Sequence, residues 1–161
     1  MNALPPLTRF VQRSRFARCV ASEVQIAATP ERVWQTLVDF ARYPEWNPFT
    51  APVQASLADG AAVTLTVHML QPKPLTQIEY MHDVVSGRRL CWGMVMGHPA
   101  LLCASRVQTL EALPAGGTRY RSEDRFSGWL VPLVLALYGA AMQRGFDAMA
   151  AALKARVETD P

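Results

Sequence analysis

The side chains that could carry chemistry lie near the end of a β-rich region, where an alternating pattern separates two sets of residues. One parity is charged throughout, from Arg119 to Arg125. The other parity holds Tyr120, Ser122, Asp124 and Phe126. Successive strand residues point to opposite faces of a sheet, so this pattern predicts that the charged set faces solvent and that Asp124 points inward.

Arg106 is the predicted partner of Asp124. A hairpin centred on Ala115 places the two residues opposite each other, and the same counting around Gly97 places Cys91 opposite Cys103 on the outer face. Both registers put four residues on the inner face: Trp92, Leu102, Arg106 and Asp124. Two roles stay open, a structural ion pair at the rim of a cavity and a pair that orients a ligand carbonyl or carboxylate.

His82 and Tyr80 are the other candidates for acid–base work. His82 shares its parity with Ile78, Tyr80 and Val84, so it either enters the interior as a general acid or base or is a partly exposed strand histidine. With Arg106, Asp124 and Ser122 they form the whole supply of candidate catalytic groups. The histidines and cysteines match no nucleophile or metal-ligand spacing, so we expect neither a metal site nor a cofactor.

The elements that position these residues belong to one domain. The chain has 161 residues, 50% hydrophobic and 18% charged, which is typical of a single globular domain and excludes a disordered or collagen-like chain. Its longest apolar stretch, residues 129–142, contains Pro132 and Gly139 and is too short to cross a bilayer.

The pattern along the chain predicts an α+β fold. A strand over 18–27 leads to a helix that begins at Thr29–Pro30, and a second short helical turn follows near Trp46. Antiparallel strands are then expected over 50–57, 62–70, 75–85, 88–96, 101–111 and 118–126. One long C-terminal helix is expected over 129–157. The sheet of about seven strands must curl around this helix to bury both apolar faces, and the gap between them can be hollow.

Strand parity and helix spacing predict which side chains line that cavity. The predicted wall consists of Val63, Leu65, Val67, Trp92, Met94, Tyr120, Phe126, Tyr138, Met142 and Phe146.

Four segments carry a resemblance to a known superfamily. They are residues 29–34 (TPERVW), 43–48 (YPEWNP), 88–92 (RRLCW) and 126–128 (FSG). The chain resembles the START-like, or SRPBCC, superfamily of polyketide cyclase and lipid-transport type, which has the helix-grip fold. The resemblance implies an internal cavity for a hydrophobic molecule such as a lipid, sterol, polyketide or quinone. Arg106 stands near a position where close bacterial relatives are expected to carry a histidine.

The domain boundaries follow from the same comparison. Residues 1–17 are predicted to be an Arg-rich extension and residues 18–158 the ligand-binding domain.

The net charge of +3 comes from the arginines of the first 22 residues, and no basic stripe with stacking aromatics points to nucleic acid. Three cysteines without a pairing pattern favour a reducing compartment, so we expect a cytoplasmic protein.

Three functions remain compatible with the residues. The sequence favours a binder or carrier of a hydrophobic ligand, because so few polar groups are available inside. The first alternative is a cofactor-free enzyme of the cyclase, aromatase or hydrolase kind. The second is a membrane- or partner-associated module that would use the Arg-rich start and the apolar residues 129–137 for a peripheral contact. Neither the ligand nor the oligomeric state can be derived.

Overall fold

The structure is a computed structural model that describes residues 18–69 and 73–159. Its strands are β1 (Arg18–Ile26), β2 (Thr50–Gln54), β3 (Ala62–Val67), β4 (Leu75–Val85), β5 (Arg89–Met96), β6 (Leu102–Ala112) and β7 (Thr118–Ser127). Its helices are α1 (Pro30–Val38), a 3-10 turn (Phe40–Arg42), α2 (Tyr43–Trp46) and α3 (Val131–Thr159). The predicted α+β helix-grip architecture is confirmed. The predicted extension over residues 1–17 lies outside the described residues.

The described strands form one antiparallel sheet in the order β1-β7-β6-β5-β4-β3-β2. Chain neighbours therefore pair from β2 to β7, and β1 closes the order beside β7. The sheet curls around α3, which buries the inner side of both layers. Among the described helices, none is long and apolar enough to cross a membrane.

The local signals at α1 act as the sequence predicts. The Thr29 hydroxyl accepts a hydrogen bond from the backbone N–H of Arg32 at 3.4 Å, and Pro30 occupies the first turn. The apolar stripe of α1 is buried through Val33, Trp34 and Leu37. This cap and stripe fix the direction in which the chain leaves β1.

The register of the central hairpins is confirmed in one case and wrong in the other. Arg106 pairs with Asp124 across β6 and β7, as counting around Ala115 predicts. Cys91 pairs with Val107 rather than with Cys103, because the β5–β6 hairpin is centred on Pro99 and not on Gly97. The displacement is an even number of residues, so Trp92 and Arg106 still share the inner face.

Helix α3 is attached to the sheet unevenly along its length. The residues of its second half that pack into the core are Phe146, Met149, Ala150, Leu153 and Val157. None of the described residues 132–145 is fully buried, and on the sheet-facing side Leu135 and Met142 are only partly covered. The second half of α3 is therefore packed into the core, whereas the first half covers the inner face of the sheet only in part.

Polar side chains of α3 also bind the free edge of β1. Gln143 Nε2 donates to the carbonyl of Ala21 at 2.8 Å, and Lys154 Nζ donates to the carbonyl of Gln25 at 2.7 Å. These carbonyls point away from β7, since β7 is the only strand that pairs with β1 among the described residues. The helix is thus anchored along the sheet edge as well as on its inner face.

Candidate functional site

A row of side chains crosses the inner face of the sheet at its centre. Met81, Trp92, Arg106, Asp124 and Val20 are successive register partners on β4, β5, β6, β7 and β1. Direct partners in an antiparallel sheet point to the same face, so the row lies beneath α3. It places one cation and one carboxyl group in an otherwise apolar row.

Arg106 is the centre of this row and is only 4% exposed. Its guanidinium donates to Ser122 Oγ at 3.3 Å, to Thr50 Oγ1 at 3.2 Å and to Met149 Sδ at 2.8 Å. The charge also lies 4.5 Å from the centre of the Phe146 ring, which provides cation–π stabilisation. Hydroxyl and thioether groups are weak acceptors, so this cation can still form a stronger contact with an oxygen of a ligand.

The expected contact between Arg106 and Asp124 does not form. In the part of the chain that the structure describes, no ion pair joins them, and Asp124 Oδ1 is buried without a hydrogen-bond partner. Burial raises the pKa of Asp124 to about 7, although the nearby charge of Arg106 acts to lower it. The two residues lie on the same face of the sheet, and the charge of Arg106 influences Asp124, but they are not in contact. The predicted structural ion pair is therefore not formed.

Glu79 is a second interior carboxyl, which sequence reasoning missed. It is 6% exposed and accepts a hydrogen bond from Gln77 Nε2 at 2.6 Å. Burial raises its pKa to about 8, and the charge of Asp124 raises it further, whereas Gln77 and Arg106 lower it. Two carboxyl groups with raised pKa values therefore accompany one guanidinium on the inner face.

A β-bulge explains why Glu79 was missed and why Tyr80 and His82 were misplaced. Between His82 and Val85 the register of β4 against β5 shifts by one residue, and Asp83 has a positive φ of 50°. Without this bulge, Trp92 would face His82; with it, Trp92 faces Met81. The odd residues of β4 therefore point inward, and Tyr80 is 44% exposed.

His82 consequently lies on the outer face of the sheet, not in the interior. It pairs with Cys91, and its Nε2 lies 3.2 Å from Ser105 Oγ. Burial lowers the pKa of His82, which favours the neutral ring. Of the two possibilities left open for His82, the interior acid or base is not observed, and Tyr80 likewise does not enter the interior.

Gln108, Tyr120 and Ser122 complete the polar part of the inner face. Gln108 pairs with Ser122, and the Tyr120 hydroxyl donates to Gln108 Oε1 at 2.8 Å. Gln108 Nε2 is buried without a partner in the described residues. Gln108 could have been placed on the inner face from the sequence, because it lies two residues after Arg106 on the same strand. No sequence pattern indicated that Thr50 or Met149 would contact Arg106.

The predicted apolar wall is found on the inner side. Fully buried members are Val63, Leu65, Val67, Trp92, Tyr120, Phe126 and Phe146. Met94 and Met142 are partly buried against the core, and Tyr138 on the first half of α3 is half-exposed. Which of these residues contact a ligand stays a prediction.

The described residues offer no group of three His, Cys, Asp or Glu side chains arranged to hold a metal ion. The inner face offers a strong hydrogen-bond donor in Arg106, two carboxyl groups with raised pKa values, and the unpartnered Nε2 of Gln108. These groups are the ones that would contact the polar end of an apolar molecule bound at this place.

Residues 17–158 match the family described as polyketide cyclase / dehydrase and lipid transport. The chain belongs to this family. Its membership of the SRPBCC superfamily, expected from the four segments, is thereby confirmed. A search of curated proteins finds no match.

Several solved structures of other proteins share the fold at low sequence identity. The di-domain aromatase/cyclase BexL from the BE-7585A biosynthetic pathway superposes with a TM-score of 0.72 at 16% identity, over 96% of this chain and 54% of that one. The Zhui aromatase/cyclase from Streptomyces sp. R1128 gives 0.62 at 18% identity, over 89% and 97%. Protein MLL2253 from Mesorhizobium loti gives 0.64 at 24% identity, over 89% and 100%. At these identities the likeness shows the fold.

Proposed function

We propose that this protein binds a hydrophobic small molecule between the sheet and α3, as a binder or carrier. The proposal rests on two observations at the inner face: α3 covers the sheet incompletely, and some buried polar atoms have no hydrogen-bond partner in the described residues. The first half of α3 covers the sheet incompletely, and Asp124 Oδ1 and Gln108 Nε2 are buried without partners. Buried polar atoms without partners are rare in native proteins and cost free energy, which a suitable ligand would recover.

The chemistry of the site suggests the class of ligand. Apolar rings and thioethers surround the interior, so the body of the ligand is apolar, as in a lipid, polyketide, sterol or quinone-like molecule. Arg106 has only weak acceptors, so a carbonyl or carboxylate oxygen is the polar group that would gain most from contacting it.

A cyclase- or aromatase-like activity is the second candidate. It is favoured by the raised pKa values of Glu79 and Asp124, about 8 and about 7. Near neutral pH such a pair can contain one protonated and one ionised carboxyl, which is what general acid–base chemistry needs. If the protein is an enzyme, we expect it to work without a cofactor, and we retain the expectation of a cytoplasmic location.

Native mass spectrometry of the full chain purified from its own host tests the binding proposal. We expect an adduct of lipid or polyketide mass that is released on denaturation. The variant Leu135→Trp, which fills the loosely packed inner side of α3, should lose the adduct, whereas Leu133→Trp on the exposed side should keep it. The absence of an adduct from the wild type, together with no uptake of N-phenyl-1-naphthylamine, would overturn the proposal.

The two candidates differ in what Glu79 does. A pure carrier releases its adduct unchanged after incubation, and Glu79→Gln leaves this result as it is. An enzyme changes the mass or the absorption spectrum of the bound molecule, and Glu79→Gln then keeps binding but loses the conversion.

A further inference from the structure

Large apolar side chains are exposed in the turn before α3 and along the first half of the helix. Trp129 is 76% exposed, Leu133 56% and Leu137 62%. The spacing of four residues places Leu133 and Leu137 on one side of α3, opposite to the stripe that faces the sheet, and Trp129 lies in the turn directly before the helix. A contiguous exposed apolar surface of this kind marks a contact site.

The tip of the β5–β6 hairpin extends this surface. The backbone N–H groups of Trp129 and Leu130 donate to the carbonyls of Ala100 and Leu101 at 2.9 and 3.0 Å. Met96 and Leu101 on this tip are themselves exposed. We define the end patch as Met96, Leu101, Trp129, Leu133 and Leu137.

The end patch is uncharged, and arginines flank its segments in the sequence, with Arg125 and Arg144 on either side of the segment that includes Trp129. Residues 90–105 and 126–143, which contain the whole patch, hold no Asp, Glu, Lys or Arg. Arg18 pairs with Phe126, so the chain before β1 joins the domain at the same end. That preceding segment contributes Arg9, Arg13 and Arg15 and contains no acidic residue.

We propose that the end patch is a docking surface for an anionic lipid bilayer. Leucine and methionine side chains insert into the acyl region of a bilayer. An indole ring is favoured at the membrane–water interface, and arginines attract lipid phosphates. A second copy of the chain fits less well, because a two-fold contact through this patch would bring together the exposed Arg144 of both copies, which lies on the same side of α3 as Leu137. This surface lies outside the ligand site, so the proposal does not depend on the proposed function.

Co-sedimentation of the full chain with vesicles tests the proposal. We expect binding to vesicles of phosphatidylcholine and phosphatidylglycerol, with at least about tenfold weaker binding to phosphatidylcholine alone at low salt. Brominated phosphatidylcholine in the anionic vesicles should quench Trp129 fluorescence. The double variant Leu133→Gln/Leu137→Gln should lower vesicle binding by about tenfold or more, since each leucine contributes by burial.

Ile78→Gln is the matched control, since Ile78 on β4 is 56% exposed, as Leu133 is, but lies outside the patch. It should leave vesicle binding unchanged, and circular dichroism should show that all variants are folded. The proposal is overturned if the wild type does not co-sediment with anionic vesicles, or if the double variant binds them as strongly as the wild type does. It is equally overturned if the wild type is a dimer that only the double variant dissociates, because the patch is then a protein contact.

Discussion

Arg106 and Asp124 face each other directly across β6 and β7, yet no ion pair joins them, and the guanidinium donates to Ser122 and Thr50 instead. The carboxyl is left with Oδ1 unpartnered in the described residues, and Glu79 adds a second carboxyl to the same interior. The interaction among these three groups is therefore one of charge at a distance. Its strength depends on which carboxyls hold a proton.

Replacing Arg106 should reveal that coupling. At pH 8, Arg106→Met should lower the free energy of unfolding by about 2 kcal/mol or more, because the buried Glu79 and the partly buried Asp124 lose their only compensating charge among the described residues. In a Glu79→Gln/Asp124→Asn background the same substitution should cost at least about 1 kcal/mol less. Urea denaturation of the four proteins measures both costs. Arg119→Met, at a half-exposed position, serves as the control, and equal costs in the two backgrounds would show that the three groups do not interact.

The stability of the protein should depend on pH through Glu79. Its folded-state pKa of about 8 lies above the ordinary value of 4.5, so the folded state holds the proton more tightly than the unfolded chain does. The resulting contribution to stability is fully present below pH 4.5 and is lost as the pH rises toward 8. Glu79→Gln should therefore gain stability relative to the wild type across this window, by up to about 1.4 kcal/mol per pH unit.

Denaturant titrations at pH 5, 6, 7 and 8 measure that gain. Glu111→Gln, at an exposed side chain near the end of β6, should show no such trend. A difference between Glu79→Gln and wild type that stays constant with pH would mean that Glu79 is ionised in the folded protein throughout.

Two glycines of α3 should respond oppositely to alanine. A Cβ at Gly145 would lie 2.1 Å from the Phe49 ring, so Gly145→Ala should destabilise by about 1–3 kcal/mol through overpacking. A Cβ at Gly139 would meet only Leu135 side-chain atoms at 3.7 and 3.8 Å, so Gly139→Ala should stabilise by up to about 1 kcal/mol through helix propensity. Thermal denaturation separates the two. If both variants lose stability, the first half of α3 is packed more tightly than its exposure indicates.

The parts of the fold that the sequence predicts are those set by regular periodicity. Strand alternation and a tight loop are enough to bring Arg106 opposite Asp124, because nothing interrupts the ladder between them. The same reasoning fails on β4, where the bulge at Asp83 reverses the two faces and the apolar Ile78 and Tyr80 remain exposed. One extra residue in a strand is invisible to alternation but changes every assignment beyond it.

The contacts of Arg106 could not be predicted for a different reason. Thr50 lies 56 positions away along the chain and Met149 lies 43 positions away. The contacts of Thr50 and Met149 with Arg106 depend on how the sheet curls to bring β2 toward β6 and on where α3 packs on it. Neither strand and helix periodicity nor turn sequences predict these distances. Sequence reasoning therefore found Arg106 and Ser122 but not Thr50 and Met149.

The bonds from Gln143 and Lys154 to the carbonyls of β1 bear on aggregation. An edge strand with free backbone groups is a template on which another chain can add a strand and begin a fibril. Here the helix occupies acceptors along β1, and at the opposite edge Pro52 in β2 has no N–H to donate. The sheet thus has two edges that are poor templates, so growth of β-polymers from the folded protein is disfavoured.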